Sequence, residues 1–256
     1  MSSVELIRSS HVLEVRLNRP AALNSIDDDM DRLLAAAWAT VDDDPDIWVA
    51  VLTAAGDRAF CAGGDMKRPP TGHVGLSFGG GLTGIGGRLQ PLSKPLIAAV
   101  HGHVLGLGFE LAMCADIIIA SQDAVFRLPE ARAGVIDHCG VVHRAVRQLP
   151  HHVAMGMILA SEPLTATDAW RLGLVNQCVP REELDEAAQS WIARLLACSP
   201  LVARAAKQAA QLGLEIPLSE ALGRSYPAIE AFRTSDDKSE AEQAWKLRQQ
   251  PIWRGR

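Results

Sequence analysis

The stretch KPLIAAVHGHVLGLGFELAMCADIIIAS, residues 94–121, decides the fold. KPLIAAVHG (94–102) and ADIIIAS (115–121) are short apolar runs, the pattern of buried strands. GLGFELAMC between them is too short for anything but a brief helix. Strands joined in this way need crossover connections, and the class is α/β. In the middle of this small, apolar, glycine-rich run stands Glu110, a carboxylate where every neighbour reads as core.

Working outward, HVLEVRL (11–17) alternates with period two and WVAVLTA (48–54) is a second apolar run, so both are expected to be strands. Residues 27–44, DDDMDRLLAAAWATVDDD, have acidic residues in the first turn and apolar residues at helical spacing, which predicts a helix between them. The interval 68–93 is rich in glycine and proline and reads as a lid or a disordered segment. Beyond residue 150 the pattern is helical, through REELDEAAQSWIARLLACS (181–199) and a final set of helices after Pro200, separated by Pro217 and Pro227. Neither an internal repeat nor a low-complexity linker divides the chain.

Composition narrows the partners. The chain has 256 residues, enough for one large core or a core with an appendage. A formal net charge of -5 leaves no electrostatic footprint for nucleic acid or an anionic membrane, so small molecules are favoured. The apolar region 95–120 is interrupted by His101, His103, Glu110 and Asp116, which argues against a membrane span. Residues 1–20 lack the continuous apolar region of a signal peptide. Five cysteines without CxxC spacing suggest neither a disulfide framework nor a zinc ribbon, and a reducing, cytoplasmic location is expected.

Two glycine-rich stretches carry the chemistry. AFCAGGD (59–65) sets small residues directly after an apolar strand, where backbone N–H groups could face a ligand. Gly106, Leu107 and Gly108 repeat that opportunity at the start of the helix bearing Glu110. Two such loops could grip one oxygen from two sides. Twenty positions beyond Glu110 lies Glu130, in LPEARAG, with ADIIIAS and AVFRL between them, so the chain can run out and return to bring two carboxyls together.

LNRPAALNSI (17–26), AGDRAFCAGGDM (55–66), residues 94–121 and FRLPEARAGVI (126–136) together resemble the enoyl-CoA hydratase/isomerase (crotonase) superfamily. The likeness continues through LTATDAWRLGLVNQCVP (164–180) to the tail and covers essentially the whole chain. It implies a crotonase-like spiral of repeated ββα units over residues 1–199, followed by a C-terminal helical trimerisation region over 200–256. It implies an acyl-CoA thioester as substrate and a homotrimer, often doubled to a hexamer, with no metal or redox cofactor, coenzyme A entering only as part of the substrate.

Within that resemblance the N–H groups of Gly64 and Leu107 hold the thioester oxygen and stabilise an enolate. Leu107 replaces a glycine common at its position but keeps the N–H. Glu110 activates water toward the β-carbon and Glu130 serves the α-proton. Burial and mutual proximity would raise their carboxyl pKa values above about 4.3, which suits groups that accept and donate near neutral pH. Ala21, Ala22 and Leu23, with the backbone around Ala62, Asp65 and Met66, would contact the coenzyme A portion. The basic residues Arg19, Lys67 and Arg68 would lie near its phosphates. Retention of both glutamates favours a hydro-lyase, an enoyl-CoA hydratase. A carnitinyl-CoA dehydratase-like enzyme, a non-catalytic acyl-CoA-binding protein and a thioester hydrolase are the alternatives.

GLGFEL lacks the third glycine and the later acidic strand end of a dinucleotide fingerprint. His101 and His103, with His138, Cys139 and His143, invite a metal site, since HxH on a strand would place both imidazoles on one face. Packing and hydrogen bonding beside the active site is the preferred reading of the first pair. His151 and His152 read as an exposed loop pair. The segment GVIDHCGVVHRA (134–145) departs from the pattern of its relatives, and His138 is expected to narrow or polarise the acyl pocket.

Overall fold

The computed structural model describes residues 2–68, 92–135 and 140–256. Asp137, His138 and Cys139, and nearly all of the 68–93 interval, lie outside the described residues, as do the expectations attached to them. Among the described residues, ten strands form two sheets. Strands β1 (Val4–Ser9), β2 (Val12–Leu17), β3 (Val49–Ala54), β5 (Leu96–Val100), β7 (Ile117–Ser121) and β10 (Gln177–Val179) make the first, in the order β1-β2-β3-β5-β7-β10. Strands β4 (Ala59–Cys61), β6 (His103–Leu105), β8 (Val125–Arg127) and β9 (Leu164–Thr165) make the second, in that order.

The chain alternates between the sheets. β1 and β2 form an antiparallel hairpin, followed by helix α1 (Asp28–Asp43). Thereafter the first strand of each pair joins the larger sheet and the second joins the smaller: β3 then β4, β5 then β6, β7 then β8. Helix α2 (Leu107–Met113) follows β6 and helix α3 (Glu130–Ala133) follows β8. This is the spiral of ββα units that the sequence implies, and within each sheet these strands pair in parallel.

Burial explains the apolar runs. One face of the large sheet presents Val15, Leu52, Ala98 and Ile118 to the main core, with Trp38 of α1 and Phe109 of α2. The other face presents Val51, Ile97, Ala99 and Ile119 to helix α7 (Leu184–Leu196), which covers it with Leu184, Ala188 and Ile192. A sheet covered on both faces needs apolar residues at consecutive positions, as in β3, β5 and β7. Helix α1 starts where expected because Asp27 caps it, its carboxylate accepting the Met30 N–H at 3.0 Å.

The C-terminal half is helical, as its pattern predicts. Helices α4 (Val141–Gln148), α5 (His151–Ala160) and α6 (Ala166–Arg171) precede β10 and α7; α8 (Pro200–Gly213), α9 (Leu218–Gly223), α10 (Pro227–Arg233) and α11 (Asp236–Leu247) follow. Lys207 of α8 ties this region to the sheet through Asp116 (2.6 Å) and the Lys94 carbonyl (2.8 Å). Among the described residues no helix is long and apolar enough to cross a membrane.

Two expectations need correction. His151 and His152 are exposed, but they form the first turn of α5 and not a loop. His101 and His103 do not share a face, because Gly102, at φ +55°, interrupts the strand between them. His103 is exposed, whereas His101 is 2% exposed. His101 continues the row Ile97–Ala99 on the α7 side of the sheet, away from α2, where it lines a polar cleft of about 400 Å³ with Arg16, Thr53, Gly56 and Arg181.

Candidate active site

Three successive units end their second strands side by side, and each exit carries a group singled out in the sequence. β4 leads into Gly63–Gly64, β6 into Gly106–Leu107, and β8 into Pro129–Glu130. The register β6–β8 pairs Leu105 with Arg127, and the Gly106 N–H bonds the Arg127 carbonyl at 3.1 Å, so the second and third exits are locked together. The first is held by Ile26, whose N–H bonds Gly63 O at 2.9 Å while its carbonyl accepts the Asp65 N–H at 2.8 Å. Such strand ends are the usual ligand crevice of parallel α/β sheets.

The loops meet at their glycines. A Cβ on Gly63 would lie 3.2 Å from Leu105 O and 3.8 Å from Leu107 N, which brings the loops bearing positions 64 and 107 against each other. A Cβ on Gly106 would lie 2.5 Å from Oε1 of Glu130 and 3.8 Å from Cα of Gly63. The Glu130 carboxylate therefore sits at the junction of the two loops. The N–H of Leu107 is the first of α2, a position that has no acceptor within its own helix.

Glu110 lies one turn into α2. Its side chain is fully buried, and its chain neighbours Phe109, Leu111 and Ala112 are buried too. It forms an ion pair through Oε1 with Nη1 of Arg144 on α4, and the Cys114 thiol donates to the same oxygen at 3.8 Å. A buried carboxylate needs such a partner, because leaving a charge alone in a low-dielectric interior costs several kcal/mol. Burial, with the Glu110 charge beside it, pushes the Cys114 thiol well above its ordinary value. Burial likewise pushes the Cys61 thiol up to about 12.

Arg144 was missed in the sequence, although a signal was present. Val141, Arg144, Ala145 and Gln148 share one helical face. Val141 and Ala145 are buried, and Gln148 donates to Met113 O at 2.9 Å, so an arginine occupies the stripe that packs on α2.

The residues expected near coenzyme A come together in a second cluster. Ala21 and Ala22 form a 3-10 turn that ends at Leu23 in the left-handed conformation, and Leu23 O accepts the Ala62 N–H at 3.0 Å. This bond and the one from the Asp65 N–H use two of the donors that the sequence reading offered to the ligand. Met66 and Lys67 remain exposed, with Arg68 beside them. Arg19 is engaged elsewhere: its guanidinium bridges Asp65 (2.9 Å) and Asp27 (3.1 Å) and bonds Ser25 O (2.5 Å). It joins the two loops, and the Asp65 carboxyl is held below the usual carboxylate range by it.

Comparison with known proteins agrees with this architecture. The model of the enoyl-CoA hydratase/isomerase family matches residues 8–256. The chain belongs to the enoyl-CoA hydratase/isomerase family. Among relatives within it, the (E)-benzylidenesuccinyl-CoA hydratase of Thauera aromatica is 37% identical over 257 residues, covering 98% of this chain and 99% of that one. The carnitinyl-CoA dehydratase of Salmonella heidelberg is 35% identical over 263 residues, covering 99% of both. A solved structure described as a short chain enoyl-CoA hydratase, from Novosphingobium aromaticivorans, superposes with a TM-score of 0.92 at 48% identity, covering 100% of this chain and 99% of that one. The enoyl-CoA hydratase/isomerase spiral is thus the fold of this chain from β1 to the C-terminal helices.

Proposed function

We propose that this member of the family is a hydro-lyase that adds water reversibly to a 2-enoyl-CoA thioester. The observation that carries the reading is the convergence at Gly106, where the Glu130 carboxylate meets the two loops that bear the Gly64 and Leu107 amides. Those two N–H groups hold the thioester oxygen. Negative charge that moves onto that oxygen makes the β-carbon electrophilic, and the amides stabilise the enolate that results. One such donor is typically worth a factor of about 10² to 10³ in rate.

Protons then move through the two carboxyls. Glu110 takes a proton from water as the new C–O bond forms at the β-carbon. Glu130 delivers a proton to the α-carbon as the enolate collapses, and solvent returns the two groups to their starting states. The sum is one water added and no change in electron count, so the chemistry calls for neither a metal nor a redox cofactor. Ala21, Ala22, Leu23, Ala62, Asp65, Met66 and Lys67 are assigned to the coenzyme A portion. A trimer or a hexamer is the working form, supported by exposed Leu214, Leu218, Leu222 and Trp245 on the C-terminal helices.

A second reading concerns the acyl group. Two relatives at 35–37% identity are named for substituted acyl-CoA substrates, which favours a polar acyl chain over a plain alkyl one. A panel that sets crotonyl-CoA against enoyl-CoAs with a polar substituent separates the two.

The function itself is tested with Glu110→Gln and Glu130→Gln on the same panel. Each variant is expected to bind acyl-CoA and to lose about 10² to 10⁴ in kcat. A parent protein that hydrates no enoyl-CoA, or variants as active as the parent, would overturn the proposal. Tight binding without turnover would identify an acyl-CoA-binding protein instead.

A further inference from the structure

We infer that Arg144 is a positioning residue for the reaction, holding the Glu110 carboxylate by one oxygen in the ionised form that can take a proton from water. This inference rests on the hydratase reading and adds to it a group on a different helix. The pair joins Nη1 of Arg144 to Oε1 of Glu110, whose side chain is fully buried, while that of Arg144 is 25% exposed. Helix α4 points the arginine there because Val141 and Ala145 on the same face are buried in the core and Gln148 is bonded to α2.

Gly140 makes room for the pair. A Cβ at this position would lie 2.8 Å from Arg144 Nη1 and 3.5 Å from Glu110 Oε1, and its φ of +99° belongs to the left-handed region that favours glycine. The helix therefore begins with a residue whose lack of a side chain leaves space for the guanidinium. Among the described residues, the other ionisable groups near this end of α2 include Cys114 on the same helix, Glu130 beside Gly106, and Lys207 of α8, whose charge reaches Cys114. Arg144 is a cation in direct contact with the Glu110 carboxylate. A cation in contact favours the charged carboxylate and fixes the rotamer from which it acts.

The test uses the full-length protein and its Arg144→Gln and Arg144→Lys variants, with folding checked by circular dichroism. On an enoyl-CoA that the parent hydrates, Arg144→Gln is expected to lose at least about tenfold in kcat with KM little changed. The acid limb of its pH profile should move up by about one to three pH units, the usual effect of removing a contacting opposite charge. Arg144→Lys is expected to restore part of both, because it keeps the charge without the planar fork. Independently of turnover, the carboxyl carbon resonance of Glu110, assigned by its loss in Glu110→Gln, should titrate at higher pH in Arg144→Gln than in the parent.

If the parent is active and Arg144→Gln matches it in kcat and pH profile, the role of Arg144 is overturned and the hydratase reading stands. An equal loss in both variants with an unmoved acid limb means a purely structural arginine and also overturns it. If the parent hydrates nothing, the hydratase reading fails, and Arg144's part in that reaction fails with it. The resonance then still decides whether Arg144 controls the ionisation of Glu110, and an unchanged midpoint refutes that as well.

Discussion

Gly108 and Cys61 meet so closely that a Cβ on the glycine would lie 2.3 Å from the cysteine's carbonyl oxygen and 2.6 Å from its Cβ. Helix α2 is thereby pressed onto β4, which sets the distance between the two glycine loops. Gly108→Ala is expected to destabilise the protein by about 1 to 3 kcal/mol through overpacking. Turnover should fall as well, since Leu107 moves with the helix. Gly156, inside α5 with nothing within 4 Å of its added Cβ, is the control. Gly156→Ala should be neutral or stabilising by up to about 1 kcal/mol. Urea unfolding of both variants checks the pair, and equal midpoints would refute the packing argument.

Gly106→Ala addresses the site more directly. The residue has φ +49°, and its added Cβ would fall 2.5 Å from Glu130 Oε1. The carboxylate must give way, so kcat should fall by about 10² or more, as for loss of a positioned acid–base group. A stability loss of about 1 to 3 kcal/mol is expected from the backbone strain, since φ +49° with ψ −118° is a conformation that residues with a side chain rarely adopt. Steady-state kinetics beside a thermal melt separates the two effects, and unchanged kcat would remove Glu130 from the junction in any working sense.

Lys94 should make stability depend on pH. It is 1% exposed, its Nζ donates to Asp44 O at 2.5 Å, and burial pulls its pKa down to about 8, with Arg204 adding to the effect. In the unfolded chain the value is about 10.4. Below pH 8 both states carry the proton and the cost of burying the charge is present in full. Between about 8 and 10.4 the unfolded chain holds the proton more often, so this contribution to stability rises with pH. The raised thiols of Cys61 and Cys114 act in the opposite sense above their ordinary range, so Lys94 is isolated by comparing Lys94→Met with the parent. The variant should gain up to about 3 kcal/mol at pH 7, less the lost hydrogen bond, and the gain should shrink toward pH 10. A difference that does not vary with pH would contradict this.

Thiol reactivity should follow burial. Cys198 is exposed, whereas Cys61 and Cys114 are held protonated by their surroundings. Brief alkylation with iodoacetamide at pH 8, followed by peptide mapping, should mark Cys198 in the native protein and Cys61 and Cys114 only after denaturation. Native labelling of Cys114 would mean that the interior around Glu110 opens readily.

The order of elements was legible because period-two and helical spacing report burial directly. The capped start of α1 at Asp27 and the apolar runs of β3, β5 and β7 are such cases. The approach of Glu110 and Glu130 to shared loops came from the family resemblance; nothing in their spacing encodes the register of β6 on β8 that brings the loops together. Arg144 was hidden for a different reason. An arginine on a helical stripe looks the same whether it reaches solvent or a buried carboxylate, and only the packing of α4 on α2 distinguishes them. The separation of His101 from His103 is hidden in the sequence because HxH reads as strand alternation, which the left-handed backbone at Gly102 ends.

The three exits from β4, β6 and β8 belong to neighbouring strands, whose spacing of about 4.8 Å is fixed by main-chain bonding. The sheet thus serves as a ruler that sets the pitch of the chemical groups before any side chain is chosen. Positions 64 and 107 would contribute through main-chain atoms, so residue identity at 107 can drift and reshape the room for the acyl chain without moving the oxygen clasp. Selectivity and the grip on the oxygen would then be separately adjustable within one scaffold, the first by side-chain exchange at the rim, the second by strand register.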